Sequence, residues 1–194
     1  MRFYIDETFQ LPGEQKKRYI EPFYTLAATG FIEEDIPEIR AFLTKEAGSR
    51  PIHGTELVRT EEGHDTLEYL IREIAPKATA IVTSAAIPKQ DRNGEATRAQ
   101  LMRIMVNHIL SQFDARKIMI EKRMLGVPAS RDALVLRAIR KQHPKLKRLD
   151  LRASPKKSEP LLWTADLLAC SFRQKHKRDN ERFLDLWDVE FLVP

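Results

Sequence analysis

The chain has 194 residues and a mass of 22.5 kDa, enough for one domain with a substantial hydrophobic core. Residues 1–75 carry 15 acidic and nine basic side chains, whereas residues 76–194 carry 13 and 24. No secretory leader or membrane-length apolar run is recognisable, and the single cysteine, Cys170, lies in an apolar segment. We therefore expect a soluble cytoplasmic protein with a buried thiol; the basic half raises the odds of a polyanionic partner, although basic faces are also simply solvated.

Short β-branched runs alternate with segments whose apolar residues recur every three or four positions, which is typical of an α/β domain. In chain order we predict a strand at 2–6, a polar loop at 8–22 and a strand at 23–31, followed by a helix from about 33 to 48 and a helix at 60–75. The middle of the chain is predicted to contain a strand at 78–87, a helix at 95–113 and a strand at 117–122. The last part is predicted to contain a helix at 132–142 capped by Ser130, a strand at 148–153, a helix at 159–179, and a strand or extended tail at 183–193. Because no repeat or linker divides the chain, residues 1–194 are predicted to form a single domain with a mixed sheet flanked by helices.

Several common kinds of functional site are absent from the sequence. The glycines are not spaced as in a dinucleotide-binding or nucleoside-triphosphate loop, so those cofactors and substrates are not indicated. Paired CxxC motifs, an HExxH motif and a nucleophile elbow are also missing, which removes the usual signs of zinc and serine-hydrolase chemistry. Carboxylates remain as the candidate reactive groups.

Asp6, followed by Glu7, stands at the end of the first predicted strand. Alternation along that strand turns Tyr4 and Asp6 to one face of the sheet. A buried central strand would deliver Asp6 to the carboxyl edge, where the functional sites of α/β proteins gather. An ordinary acidic turn residue would explain the same position equally well.

Asp166 is the sole charged residue in the apolar run at 161–170. This run is apolar in almost every helical direction, so Asp166 is predicted to be buried. A buried carboxylate is costly unless it is neutral, ion-paired or metal-bound. A pair with an arginine such as Arg173, or with a backbone donor, is the structural alternative to a functional role.

Two weaker candidates lie elsewhere in the chain. His53 and Glu56 belong to the segment His53-Gly54-Thr55-Glu56, where both could face one cleft, although Thr55 as the N-cap of the next helix explains the pattern as well. Glu121 follows the apolar run 118–120 in the predicted strand at 117–122, where a salt bridge with Lys122 or Arg123 is the simpler account.

Carboxylates that gather at one place need a counter-charge. Two of them within about 4 Å repel by roughly 4 kcal/mol at an intermediate dielectric, so a proton or cation must intervene. Mg²⁺ or Mn²⁺ suits an all-oxygen site and supports phosphodiester hydrolysis. An acidic cluster beside a basic face is therefore the electrostatic pattern expected of a nuclease.

A basic face is available in the second half of the chain, where residues 137–157 contain nine basic side chains and one acid. Few aromatic residues are interleaved, which favours contacts to a nucleic-acid backbone over base stacking. The predicted nucleic-acid contacts are Arg140, Lys141, Lys145, Lys147, Arg148, Lys156, Lys157 and Arg173.

Three segments and the apolar second strand together resemble the bacterial and phage domain of unknown function 3800 family. The segments are residues 3–8 (FYIDET), 53–57 (HGTEL) and 162–169 (LWTADLLA). That family typically opens with a strand ending in Asp-Glu-Ser-Gly and closes with an Ala-Asp-Leu-Leu-Ala-like helix. This chain departs from it at Thr8-Phe9, where a bulky ring replaces a small turn residue.

The resemblance implies a ribonuclease H-like fold whose acids come from the first strand and the last helix. It makes Asp6 and Asp166 metal ligands, places Glu7 beside them, and offers Glu56 as a third ligand. Glu121 would correspond to the acid that many ribonuclease H-like enzymes carry on a middle strand. The cofactor implied is Mg²⁺ or Mn²⁺.

These observations lead to one leading hypothesis and two alternatives. The leading hypothesis is a divalent-metal-dependent nuclease, in which Asp6 and Asp166 lie close enough to share one cation and His53 or a lysine assists. The first alternative is a non-catalytic module that binds nucleic acid or a protein partner. The second is a homodimer formed through the apolar tail at 187–193.

Overall fold

In the computed structural model, which describes residues 1–13, 21–48, 50–123, 127–142 and 150–194, six strands form one mixed sheet flanked by helices. The strands are β1 (Arg2–Gln10), β2 (Phe23–Phe31), β3 (Thr79–Ala86), β4 (Lys117–Glu121), β5 (Asp150–Ser154) and β6 (Val189–Leu192). The helices are α1 (Ile36–Ala47), α2 (Gly54–Leu57), α3 (Glu61–Ile74), α4 (Glu95–Gln112), α5 (Val127–Gln142) and α6 (Leu162–Arg178). The predicted α/β class, with one mixed sheet flanked by helices, is therefore confirmed.

The strand order is β5-β4-β1-β2-β3-β6, which puts β1 near the middle of the sheet. β1 runs antiparallel to β2 and parallel to β4, and β4 runs parallel to β5. β3 is antiparallel to β2, and β6 adds in parallel at the far edge. The carboxyl ends of β1, β4 and β5 consequently meet at one edge of the sheet.

Each face of the sheet has its own hydrophobic core. Tyr4 faces α1, α3 and α6, whereas Phe3 and Ile5 face α4 and α5. This is the predicted alternation along the first strand, and it places Asp6 on the same face as α6. α6 packs across β1 and β2, and its residues 162–171 are buried.

Two elements differ from their predictions. β1 continues to Gln10 instead of ending at Asp6, because β2 pairs with it as far as Gln10 opposite Phe23. The helix predicted from residue 132 begins at Val127, so Ser130 lies inside α5 and does not cap it. Pro128 is tolerated in the first turn, where the missing amide hydrogen costs little.

The tail also takes a definite place. It forms β6 beside β3, and Trp187 is buried beneath it, while Phe191 and Val193 remain exposed. Among the described residues, no helix combines the length and apolar character that a membrane span requires.

Candidate carboxylate site

Asp6 and Glu121 are brought together by the pairing of two parallel strands. Ile5 of β1 lies opposite Ile120 of β4, so the next residues along, Asp6 and Glu121, emerge side by side at the carboxyl edge. Asp6 is 3% exposed, and its Oδ1 accepts a 2.7 Å hydrogen bond from the Glu7 amide. Asp6, one of the two acids that the sequence places near predicted strand ends, is thus deeply buried.

Asp166 reaches the same place from α6. It is 9% exposed, as its apolar surroundings predict, and its Oδ2 accepts a 2.7 Å hydrogen bond from the amide of Gly54. Gly54 must be a glycine, because a Cβ there would lie 2.6 Å from the Cβ of Cys170. The short helix α2 can therefore approach α6 closely enough to orient Asp166 through a backbone donor.

The three carboxylates meet at one cation, the ammonium of Lys156. Its Nζ lies 2.8 Å from Asp6 Oδ2, 3.0 Å from Asp166 Oδ1 and 3.3 Å from Glu121 Oε2. The Lys156 side chain is 10% exposed. Its backbone carbonyl accepts a 3.0 Å hydrogen bond from Trp163 Nε1, which ties the turn after β5 to the start of α6.

The burial of these groups shifts their protonation equilibria. Burial and the hydrogen bond with Glu121 together raise the pKa of Asp6 to about 7, against the opposing charge of Lys156. Burial and the charge of Asp6 also raise the pKa of Asp166. Burial alone would lower the pKa of Lys156, but the charges of Asp6 and Asp166 outweigh that effect and raise it. Lys156 is accordingly charged, and the cluster favours uptake of further positive charge.

Glu7 has a separate ionic partner. Its Oε2 lies 2.5 Å from the Nε of Arg98, a buried arginine that also pairs with Asp132. Arg123 contacts Asp132 and Glu95, so the network continues through α4 and α5. Glu7 thus stands beside the cluster while its charge is balanced from the other face of the sheet.

A cavity of about 400 Å³ opens over the cluster. It is lined by Asp6, Glu7, Phe9, His53, Thr55, Glu121, Lys122, Arg123, Lys156 and Asp166. Phe9, the bulky residue that follows Thr8, forms part of the cavity wall. Its ring stacks on that of Tyr24, with 5.2 Å between the ring centroids.

The segment containing His53 contributes differently from its sequence prediction. Glu56 is exposed and is not among the residues lining the cavity. Thr55 lines the cavity and caps no helix, because His53 is the N-cap residue of α2 and Thr60 caps α3 through the Gly63 amide. The structure therefore brings Asp6, Glu121 and Asp166 together without Glu56.

The predicted basic face is divided among several places. Arg140, Lys141 and Lys157 are exposed, and Arg140 also donates to the Leu151 carbonyl. Arg173 is half-buried on α6. Lys156 was predicted to contact nucleic acid from an exposed face, but it lies among the carboxylates instead. The remaining three predicted contacts, Lys145, Lys147 and Arg148, fall outside the described residues.

The arrangement bears directly on metal binding. Within the described parts of the chain, no group of three or more His, Cys, Asp or Glu side chains is placed so as to hold a metal ion. The three carboxylates offer an oxygen donor set that suits Mg²⁺ or Mn²⁺, while the Lys156 ammonium lies between them. A metal would therefore have to compete with Lys156.

Sequence reasoning missed two contributors to this site. The charge-balancing role of Lys156 is hidden because Lys156-Lys157 reads as a solvated basic turn, and only an acid-rich neighbourhood in three dimensions distinguishes the two lysines. The role of Gly54 lies in its backbone amide, which no side-chain pattern reveals. A scan against protein-family models finds no match to this chain, and a search of the curated proteins finds no similar sequence.

Proposed function

We propose that this protein is a divalent-metal-dependent enzyme that hydrolyses phosphodiesters in nucleic acid. The observation that carries the proposal is the convergence of Asp6, Glu121 and Asp166 on one cation in an open cavity. Buried acids gathered from separate elements are costly to the fold, so a functional need for a cation at that point accounts for them.

The origin of the acids supports a ribonuclease H-like arrangement. The family resemblance implies ligands from the first strand and the last helix, with a further acid on a middle strand. Asp6 follows the last residue of β1 that pairs with β4, Glu121 ends β4, and Asp166 lies on α6. These three positions are therefore the proposed ligand set, and Glu7 supports them from beside the cluster.

The charge of the cluster favours a divalent ion. Three carboxylates and the Lys156 ammonium leave two negative charges when all four groups are ionised, which one divalent cation would balance. Mg²⁺ or Mn²⁺ held by Asp6, Glu121 and Asp166 would polarise a phosphodiester and lower the pKa of a bound water. Lys156 would then be released from the carboxylates to interact with the phosphate.

The cavity walls supply further groups for an anionic substrate. Lys122 and Arg123 bring positive charge to one side, and His53 and Thr55 offer hydrogen bonds on another. A neighbouring cavity on the β5 side adjoins the carboxylate cavity through Lys122 and Arg123. Arg140 and Arg152 are among its other lining residues. A nucleic-acid strand crossing the carboxylates would therefore meet cations beyond them.

The direct test is Asp166→Asn, assayed for cleavage of single-stranded and duplex DNA and RNA with Mg²⁺ or Mn²⁺. We expect loss of cleavage with the free energy of unfolding within about 2 kcal/mol of wild type, because Asn keeps the size of the side chain and can still accept the Gly54 hydrogen bond. Asp188→Asn, at an exposed position, is the matched control for charge. Full activity of Asp166→Asn would refute the proposal.

Lys156 favours a second candidate function, a binding module without catalysis. Its ammonium already satisfies all three carboxylates, so the fold has a built-in cation at the place where a metal would act. Such a module would bind nucleic acid in a salt-sensitive manner, would need no metal, and would retain binding in Asp6→Asn. Metal-independent binding without any cleavage by the wild type would select this candidate.

A further inference from the structure

A second cavity, of about 720 Å³, adjoins the carboxylate cavity and shares Thr55 with it. We call it the basic cavity. Its lining residues are Thr55, Val58, Arg59, Arg173, Gln174, Lys177 and Arg178. Four of these seven residues are cationic, and no acid is among them.

Some arginines in the described chain are paired with a carboxylate, and others are not. Arg2, Arg98 and Arg123 each contact a carboxylate. By contrast, no carboxylate in the described part of the chain forms an ion pair with Arg59, Arg173 or Arg178; the one hydrogen bond given for the Arg173 side chain, 3.4 Å long, goes to the hydroxyl of Thr8. Their charge is left available to an external anion.

Local structure does not account for this clustering. Cations in the last turn of α6 complement the helix dipole, which explains Lys177 and Arg178. It does not explain Arg173, which lies more than a turn earlier, or Arg59, which follows α2. Arg173 and Lys177 are four residues apart on one helix, where like charges repel each other and weaken the helix.

The basic cavity lies along the helix face that carries Asp166. Residues 166, 170, 173 and 177 follow the spacing of one face of α6, so Arg173 is displaced from Asp166 by roughly 10 Å along the helix axis. A separation of this size is short enough for one nucleic-acid strand to reach both cavities.

We propose that the basic cavity binds a backbone phosphate of the same nucleic-acid strand whose phosphodiester lies at the carboxylate site. This inference rests on the proposed function and adds the position of a substrate contact to it. Arg173 would anchor the phosphate nearest the carboxylates, because it also contacts Thr8, two residues beyond Asp6. Arg59 and Arg178 would hold it from opposite elements.

The test measures binding apart from cleavage. Binding of a fluorescent single-stranded oligonucleotide of about twelve nucleotides is followed by anisotropy in EDTA for wild type, Arg173→Gln and Arg178→Gln. Each variant should bind about tenfold more weakly and lose about one unit of salt slope, as expected for one lost phosphate contact. Arg178 is exposed, so its variant guards against a folding defect. Arg103→Gln, exposed on α4 across the sheet, is the charge-matched control and should bind as wild type does.

The outcomes separate this site from the proposed activity. Unchanged affinity in both variants, or no binding by the wild type, would overturn the phosphate site. An acidic peptide such as polyglutamate that displaces the oligonucleotide and loses affinity in the same variants would reassign the cavity to a protein partner. Hydrolysis of bis(p-nitrophenyl) phosphate by wild type with Mn²⁺ is measured in parallel. Hydrolysis with unchanged binding in the variants would support the activity and overturn the phosphate site, whereas weakened binding without hydrolysis would support the phosphate site and count against the activity.

Discussion

Lys156 sets the charge balance of the carboxylate cluster. Three acids surround its ammonium; Asp6, Asp166 and Lys156 are largely shielded from water, and Glu121 is half-buried. Removing one partner from a buried ionic group typically costs about 3–5 kcal/mol, because the remaining charges are left uncompensated. The cluster therefore needs a compensating proton or cation, and in this structure Lys156 supplies the positive charge.

This balance predicts a variant whose stability depends on metal. Lys156→Gln should lower the free energy of unfolding by about 3 kcal/mol in EDTA, since three carboxylates then face one another without a cation. Mg²⁺ should restore more of the loss than it adds to wild type, because it no longer competes with the ammonium. Urea denaturation with and without Mg²⁺ measures both effects.

Lys157→Gln removes the same charge from the exposed neighbouring residue and should leave stability within about 0.5 kcal/mol of wild type. If Mg²⁺ fails to stabilise Lys156→Gln, the carboxylates do not form a metal site.

Cys170 is a second residue whose environment fixes its chemistry. It is 2% exposed, and burial raises the pKa of its thiol to about 12. Because the thiolate is the reactive form, the native protein at pH 8 should react with a thiol reagent far more slowly than the urea-unfolded protein. The reaction is monitored through the absorbance of the chromophore that the reagent releases. Rapid stoichiometric labelling of the native protein would contradict the buried position of Cys170.

The contact between α2 and α6 is the element-scale feature on which the site depends. Gly54 lets the two helices approach, and its amide holds Asp166 from a direction that no residue of α6 could supply. The helix α2 has four residues, so its place is decided by packing and by this hydrogen bond more than by its own propensity.

Gly54→Ala should therefore destabilise the protein by about 1–3 kcal/mol, because the added methyl overlaps Cys170. We also expect cleavage to fall, since Asp166 loses its fixed orientation. Thermal unfolding and a cleavage assay measure the two effects. Thr55→Ala, in the same short helix but exposed, is the control for stability; equal stability of the two variants would argue against close packing at Gly54.

Most strands and helices could be predicted from local patterns. The apolar run of β2 and the three- and four-residue spacing in α3 and α4 reflect burial that the residues themselves demand. The extension of β1 past Asp6 could not be predicted, because Thr8 and Gln10 stay in the sheet only through pairing with β2. The start of α5 was missed for want of a capping signal near Val127.

At the scale of the whole molecule, Arg98 links three elements on one face of the sheet. It lies on α4, is buried, and pairs with Glu7 of β1 and with Asp132 of α5. The network thus couples the carboxylate edge to the helices behind the sheet. A buried arginine between two acids is a point where the loss of one group leaves two charges unpaired.

Arg98→Met should accordingly lower the free energy of unfolding by about 3–5 kcal/mol, although Met fills much of the same space. Arg103→Met, exposed on the same helix, should change it by less than about 0.5 kcal/mol. Urea denaturation monitored by circular dichroism compares them, and similar midpoints for the two variants would show that the network contributes little.

The charge asymmetry between the halves of the chain takes a specific form in the folded molecule. Asp6 comes from the acidic half, whereas Glu121, Lys156 and Asp166 come from the basic half. The cluster therefore combines residues from both halves of the chain. The basic cavity likewise combines Arg59 with residues of α6.

The sequence by itself determined the α/β class and the burial of Asp166 and Cys170, because each follows from the local pattern of apolar and polar residues. Only the tertiary structure decided which acids meet, since the register of β1 on β4 and the packing of α6 set distances between residues more than a hundred positions apart. It also decided that Lys156 is buried among acids while Lys157 is exposed. Which charged groups pair depends on their distance in space, and a local sequence pattern does not determine the distance between residues so far apart in the chain.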